Sequence, residues 1–131
     1  MTPQLDAISV IVSDMAASVA FYRRLGLEFP EGAESEGHAE AAIGGMRLLL
    51  DTEATVASFT PGWQPPTGPG RSSLAFRCAD PAEVDKLYGE LVDAGHHGET
   101  PPWDAFWGQR YACVADPDGH GIDLYAPLPS E

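Results

Sequence analysis

The sequence predicts an α+β fold of two tandem β-α-β-β-β modules whose strands form a cupped mixed sheet. Three observations carry that expectation. A strand-like run followed by a capped helix occurs twice, the strands sort by parity into an apolar and a mixed face, and a chain of 131 residues suits one such domain without disulfide or metal staples.

The first strand is "LDAISVIV" (5–12), and "SDMAASVAFYRRLG" (13–26) follows it with a helix signature. Ser13 or Asp14 can accept the free amide hydrogens of the first turn, Met15, Val19, Tyr22 and Leu25 fall on one stripe, and Gly26 permits a left-handed exit. "GHAEAAIGG" (37–45) and "MRLLLDT" (46–52) are the next strand-like segments, and one short strand of this module stays unassigned. The unit returns as "SSLAFRCADPAEVDKLYGELVDAG" (72–95), where Asp80 caps, Pro81 opens the helix, Glu83 completes a capping box and Gly95 ends it. Asp14, Tyr22 and Leu25 match Asp80, Tyr88 and Leu91 at one constant offset, so the module reads as duplicated. "WGQRYACVA" (107–115) and "HGIDLYAP" (120–127) come next, joined by a "DPDG" turn with proline and glycine where a type I turn prefers them, and again one strand is unassigned.

The whole chain is thus expected to be a single domain: module one about 1–53, a connecting loop about 54–70 and module two about 71–131. The connection, "EATVASFTPGWQPPTGPGR", is too rich in proline and glycine for a sheet strand and too apolar, with Phe59 and Trp63, for an idle tether, so it is expected to pack as an ordered loop.

Composition narrows the function. Twenty acidic against seven basic residues give a net charge of -13, which repels a phosphate backbone and speaks against nucleic acid as a partner. The N-terminal residues lack a basic region followed by an apolar run, and no stretch of about 18 consecutive apolar residues occurs, so a soluble cytoplasmic protein without a membrane partner is expected. Cys78 and Cys113 lie in strand-like runs with no metal spacing and read as buried free thiols.

Parity assigns Ile8, Val10, Val12, Ala39, Ala41, Ile43, Met46, Leu48, Leu50, Leu74, Phe76, Cys78, Ile122 and Leu124 to a face beneath the helices. Ala7, Ser9, Ile11, His38, Glu40, Ala42, Arg47, Leu49, Asp51, Ser73, Ala75, Arg77, Asp123 and Tyr125 share the other face. Small residues alternating with polar ones suit a ligand cup, and equally a face turned to solvent; periodicity alone leaves both open. His38 and Glu40 share a strand face, where they either converge on a metal or line a polar cup. His96 and His97, after Gly95, read as solvated or as partners of the helix terminus, and His120 reads as an exposed turn residue. No Ser-His-Asp or Cys-His arrangement can be named from the sequence.

The repeated unit, "VSDMAASVAFYRRLGL" and "DPDGHGIDLYAP" resemble the vicinal oxygen chelate superfamily of glyoxalases, extradiol dioxygenases and bleomycin-resistance proteins, over nearly the whole chain. The resemblance implies metal ligands on the first and last strands of each module, where this sequence has Ala7, Leu49, Ser73 and Asp123. Only Asp123 is a suitable ligand, whereas a catalytic site usually needs about three, so no metal and no other cofactor is expected.

"TEATVASFTPGWQPPTG" and "PWDAFWGQRYACVADPDGHGIDLYAPLP" resemble the drug-binding resistance branch, the mitomycin-binding proteins above all. That resemblance implies a homodimer whose crevices, shared between chains, hold an antibiotic without turning it over. Indole faces offer rigid contact area at low entropy cost, although tryptophans also serve as core or dimer-interface residues. The expected ligand-binding residues are Trp107, Trp103 and Trp63 as a stacking wall, His38, Asp51, Asp123 and Tyr125 as polar edge contacts, Arg110 as a stacking or hydrogen-bonding group with a structural salt bridge as its alternative, and Phe59. Sequestration of a planar aromatic antibiotic or secondary metabolite, of mitomycin, bleomycin or quinoline/quinoxaline type, is therefore the expected function, with no catalytic residue. The alternative is an enzyme of the superfamily, a lyase or dioxygenase, or a metal-free enzyme using His38, Glu40 or Asp123.

Overall fold

A computed structural model describes residues 2–68 and 70–130. The described residues are mixed α+β, with two open mixed sheets and three α-helices, and the chain divides into two compact units, residues 1–67 and 68–131.

Unit one runs β1 (Ala7–Val12), α1 (Met15–Arg24), a 3-10 turn (Ala33–Ser35), β2 (His38–Ile43), β3 (Met46–Thr52) and α2 (Glu53–Phe59). Its sheet has the order β1-β3-β2, with β1 parallel and β2 antiparallel to β3. Asp14 caps α1 by accepting the Ala17 N–H at 3.1 Å, and Gly26 leaves the helix at φ 91. The core is Val10, Val12, Met15, Val19, Phe21, Tyr22, Ala39, Ala41, Leu48 and Leu50, all buried, with Phe21 and Tyr22 edge to face at 5.1 Å. The fourth strand expected for this unit is not formed among the described residues; the 3-10 turn precedes β2 instead.

The connecting loop needs correcting. Residues 53–59 form α2, because the Thr52 side chain accepts the Thr55 N–H at 3.1 Å, Glu53 stands in the first turn and Val56 supplies the buried contact. Proline and glycine govern only the residues beyond Phe59.

Unit two runs β4 (Ser73–Arg77), α3 (Pro81–Asp93), β5 (Gly98–Ala105), β6 (Gln109–Ala115) and β7 (Gly121–Pro127), in the sheet order β4-β7-β6-β5. Strands β4 and β7 are parallel and the other pairs antiparallel. Asp80 accepts the Glu83 N–H at 2.8 Å and Glu83 accepts the Ala79 N–H at 2.9 Å, a capping box displaced by one residue at its return arm. Helix α3 packs on β5, β6 and β7, burying Val84 and Leu91 on the side that carries Ala112, Val114, Ile122, Leu124 and Ala126.

Strand β5 is the one left unassigned, hidden by Pro101 and Pro102; both fall between the Thr100 and Trp103 pairings, where the register shifts on an edge strand that tolerates missing amide donors. The turn 106–108 comes after it, so Trp107 lies in a hairpin turn and β6 begins only at Gln109.

Two side chains differ from expectation. Cys113 is only half-buried, because its odd position turns it away from α3, whereas Cys78 is buried; both thiols are free. His120 is half-buried rather than exposed, since Asp116 accepts the His120 N–H at 2.8 Å and folds the turn inward, leaving His120 Nε2 shielded from solvent without a hydrogen-bond partner among the described residues. Among the described residues no helix is long and apolar enough to cross a membrane.

Removing the α3 cap tests this local account. Asp80→Ala is expected to lower stability by about 1 kcal/mol, read as a shift in the denaturant midpoint at unchanged slope.

Candidate functional site

In unit one, a continuous hydrogen-bonded chain joins all three strands on the face that parity left mixed. Asp6 accepts from Arg47 at 2.6 Å, and Arg47 donates on to Glu40 at 2.7 Å. Glu40 bonds His38 Nε2 at 2.8 Å, His38 Nδ1 bonds Asp51 at 2.7 Å, and Ser9 donates to Asp51 at 3.4 Å. Carboxylates only accept, so both bonds form together only when both ring nitrogens carry hydrogens, as in the imidazolium form of His38. Hydrogen bonds donated to Glu40 and then Asp51, backed by their charges, hold its pKa above the ordinary histidine value, against a smaller opposing effect of burial. The pair His38 and Glu40 thus lines a polar face, and Asp51 completes it.

Unit two presents a different surface on the side of its sheet away from α3. Cross-strand register sets Trp103 opposite Tyr111, Tyr111 opposite Tyr125, and Cys113 opposite Asp123. Trp107 folds from the turn onto the same side: its ring lies 5.5 Å from Trp103, 5.3 Å from Tyr111 and 4.9 Å from Phe106, each contact edge to face. Its indole N–H donates to Gln109 at 2.8 Å. Trp103 stays 39% exposed and Trp107 48%, while Phe106 at the tip is 90% exposed. Large aromatic rings left this open form a patch of the kind that marks an interaction surface.

Beside the rings, Asp123 accepts from Ser73 Oγ at 3.0 Å and from Cys113 Sγ at 3.2 Å. Tyr111 also bonds it; burial and then this carboxylate push the phenol pKa up. Burial first and Asp123 second likewise push the Cys113 thiol to about 11, so it is a neutral donor rather than a thiolate. Tyr111 and Cys113 are not among the residues that parity singles out, yet the alternation of "QRYACVA" with buried Ala112 and Val114 is the signal that puts both on this face.

The remaining expected residues lie elsewhere. Arg110 sits on the α3 side of the sheet, donating to Asp85 at 2.9 Å and to Asp104 at 3.0 Å, which matches the salt-bridge alternative. Phe59 ends α2 largely exposed, and Trp63 is half-buried in the turn after it, its backbone N–H donating to the Thr60 carbonyl at 3.1 Å. His38, Asp51, Phe59 and Trp63 belong to unit one; Trp103, Trp107, Arg110, Asp123 and Tyr125 belong to unit two.

The positions that the resemblance implies as metal ligands do not form a ligand set: Ala7 and Leu49 offer no donor, and among the described residues no group of three or more His, Cys, Asp and Glu side chains could hold an ion.

Comparison with known proteins gives concordant likenesses. The profile of the Glyoxalase/Bleomycin resistance protein/Dioxygenase superfamily matches residues 4–124. A glyoxalase-related enzyme from Fulvimarina pelagi superposes with a TM-score of 0.81 at 25% identity, covering 95% of this chain and 88% of that one. Lactoylglutathione lyase from Agrobacterium tumefaciens shares the fold with a TM-score of 0.68 at 21% identity over 96% and 95% of the two chains. A protein of Mycobacterium bovis is 28% identical over 125 residues, 91% of this chain and 80% of its own length.

The unit-one chain makes a signed pH prediction. Because the folded pKa of His38 is raised, its stabilising contribution is complete below the unfolded value of about 6.5 and is lost as pH rises through the folded value. The stability gap between wild type and His38→Gln is expected to shrink across that interval, and in NMR titration Glu40→Gln should move the His38 midpoint down.

Proposed function

The chain belongs to the glyoxalase/bleomycin resistance protein/dioxygenase superfamily, and within it we propose that the protein binds and sequesters a planar aromatic antibiotic or related secondary metabolite without turning it over. The observation that carries this reading is the open face of unit two, where three adjoining rings, Trp103, Trp107 and Tyr111, stand beside one half-buried carboxylate. Rigid indoles lose little entropy on contact, and each aromatic pair adds roughly 0.5 to 1.5 kcal/mol beyond the burial itself. Asp123 and Tyr125 supply polar contacts at the edge of the flat ligand. The donor set around Asp123 favours holding over chemistry: Cys113 is a protonated thiol and Tyr111 a protonated phenol, neither poised as a nucleophile or base.

Such a protein serves self-protection or the handling of a metabolite during its biosynthesis, in the manner of the drug-binding resistance branch with its mitomycin-binding members. A duplicated module accounts for the parallel layout of the units, each with an aspartate-capped helix after its first strand and that strand parallel to its last. A homodimer belongs to the same reading. Leu5 and Phe59, 76% and 67% exposed, offer an apolar rim for an isologous interface.

Two measurements test these statements. Titration with mitomycin-, bleomycin- and quinoxaline-type antibiotics is expected to quench tryptophan fluorescence for at least one class, with the compound recovered unchanged by mass spectrometry. Trp107→Ala should weaken that binding by about 1 to 3 kcal/mol while leaving the circular dichroism spectrum intact. A chemically altered compound would favour the enzyme; undiminished binding by Trp107→Ala would remove the stacking wall. Sedimentation equilibrium should give twice the chain mass at micromolar concentration, and Phe59→Glu should shift it toward the monomer.

A further inference from the structure

We infer that the ligand of the unit-two face is a cation: a flat aromatic ring system bearing a protonated or quaternary nitrogen that seats against Asp123. This rests on the binding reading above and adds the charge of what is bound.

The inference starts from how the other carboxylates on the strands are neutralised. Glu40 meets Arg47 and His38, Asp51 meets His38, Glu99 meets His97, and Asp104 meets Arg110. Asp123 has no cationic partner among the described residues; Ser73, Cys113 and Tyr111 are all neutral donors. Its charge is felt, since it raises the pKa of both the neighbouring thiol and the phenol. A carboxylate offers about four acceptor sites, so these three donors leave room for a ligand N–H.

The rings point the same way. Trp103, Trp107, Tyr111 and Tyr125 present π-electron density, which attracts a cation and repels an anion. A net charge of -13 further raises the local concentration of cations. One group opposes this: Arg77 shares the face at the position opposite Tyr125, exposed to water on a long flexible stem. An arginine there repels a bound cation, which gives the inference a second, oppositely signed test.

Three acridine probes of like shape decide it: proflavine, protonated at neutral pH; acridine, neutral; and acridine carboxylate, an anion. Wild-type protein is expected to bind proflavine at least about tenfold more tightly than acridine, and the carboxylate more weakly than either. Asp123→Asn, which keeps the side chain's shape and one of its two acceptor oxygens but not its charge, should abolish the proflavine preference while leaving acridine binding within about twofold. Arg77→Gln should tighten proflavine, and Trp107→Ala should weaken proflavine and acridine alike. Equal binding of proflavine and acridine, an Asp123→Asn variant that retains the preference, or loosening by Arg77→Gln would overturn the charge assignment while the binding reading stood. If no probe and no aromatic antibiotic bound, both would fall together.

Discussion

Parallel pairing of the first strand of each unit with its last is the constraint that shapes everything else in the molecule. Antiparallel neighbours can be joined by a tight turn, but a parallel pair needs a long crossover, and in unit two α3 is part of it. The helix covers one side of the sheet, so even-numbered Ala112, Val114, Ile122 and Leu124 become core. Odd-numbered Ser73, Trp103, Tyr111, Cys113, Asp123 and Tyr125 are left on the other side. A slip of one residue in β7 would exchange Asp123 with Leu124, burying a charge and exposing a core side chain. The same burial that stabilises the unit therefore fixes the composition of its open face.

The two units treat charge in opposite ways. In unit one the acids of the open face find cations, and the chain from Asp6 through Arg47, Glu40 and His38 to Asp51 satisfies itself. A network so closed gains cohesion between strands and has little left to offer a ligand. In unit two the acid finds only neutral donors among the described residues, beside rings that remain open. The open face of unit two is where the protein leaves its own interactions unfinished, and it is there that the proposed binding falls.

Much of this is legible in the sequence, because caps and strand parity are local signals. Asp14, Asp80, Glu83, Gly26 and Gly95 do what their positions imply, and alternation sorts Val10, Leu48, Ile122 and Asp123 correctly. The features that sequence reasoning misses have their signal masked or divided among strands. Two prolines hide β5, and the proline- and glycine-rich stretch after Phe59 hides the α2 turn that Thr52 caps. The Asp123 cluster draws Ser73, Cys113 and Tyr111 from β4 and β6, partners that only the register brings together. Arg110 obeys the same rule: its even position sends it to α3 and to Asp85.

The prolines of β5 also bear on solubility. An edge strand is a template on which another chain can extend the sheet, the first step toward fibrils, and this one carries a cluster of exposed aromatic rings just beyond it. Pro101 and Pro102 remove two consecutive amide donors and coincide with a break in register, so an incoming strand cannot form an unbroken ladder there. The protein can therefore display tryptophans at the end of a hairpin without inviting its own polymerisation, and replacing these prolines by residues with strong strand propensity would remove that safeguard.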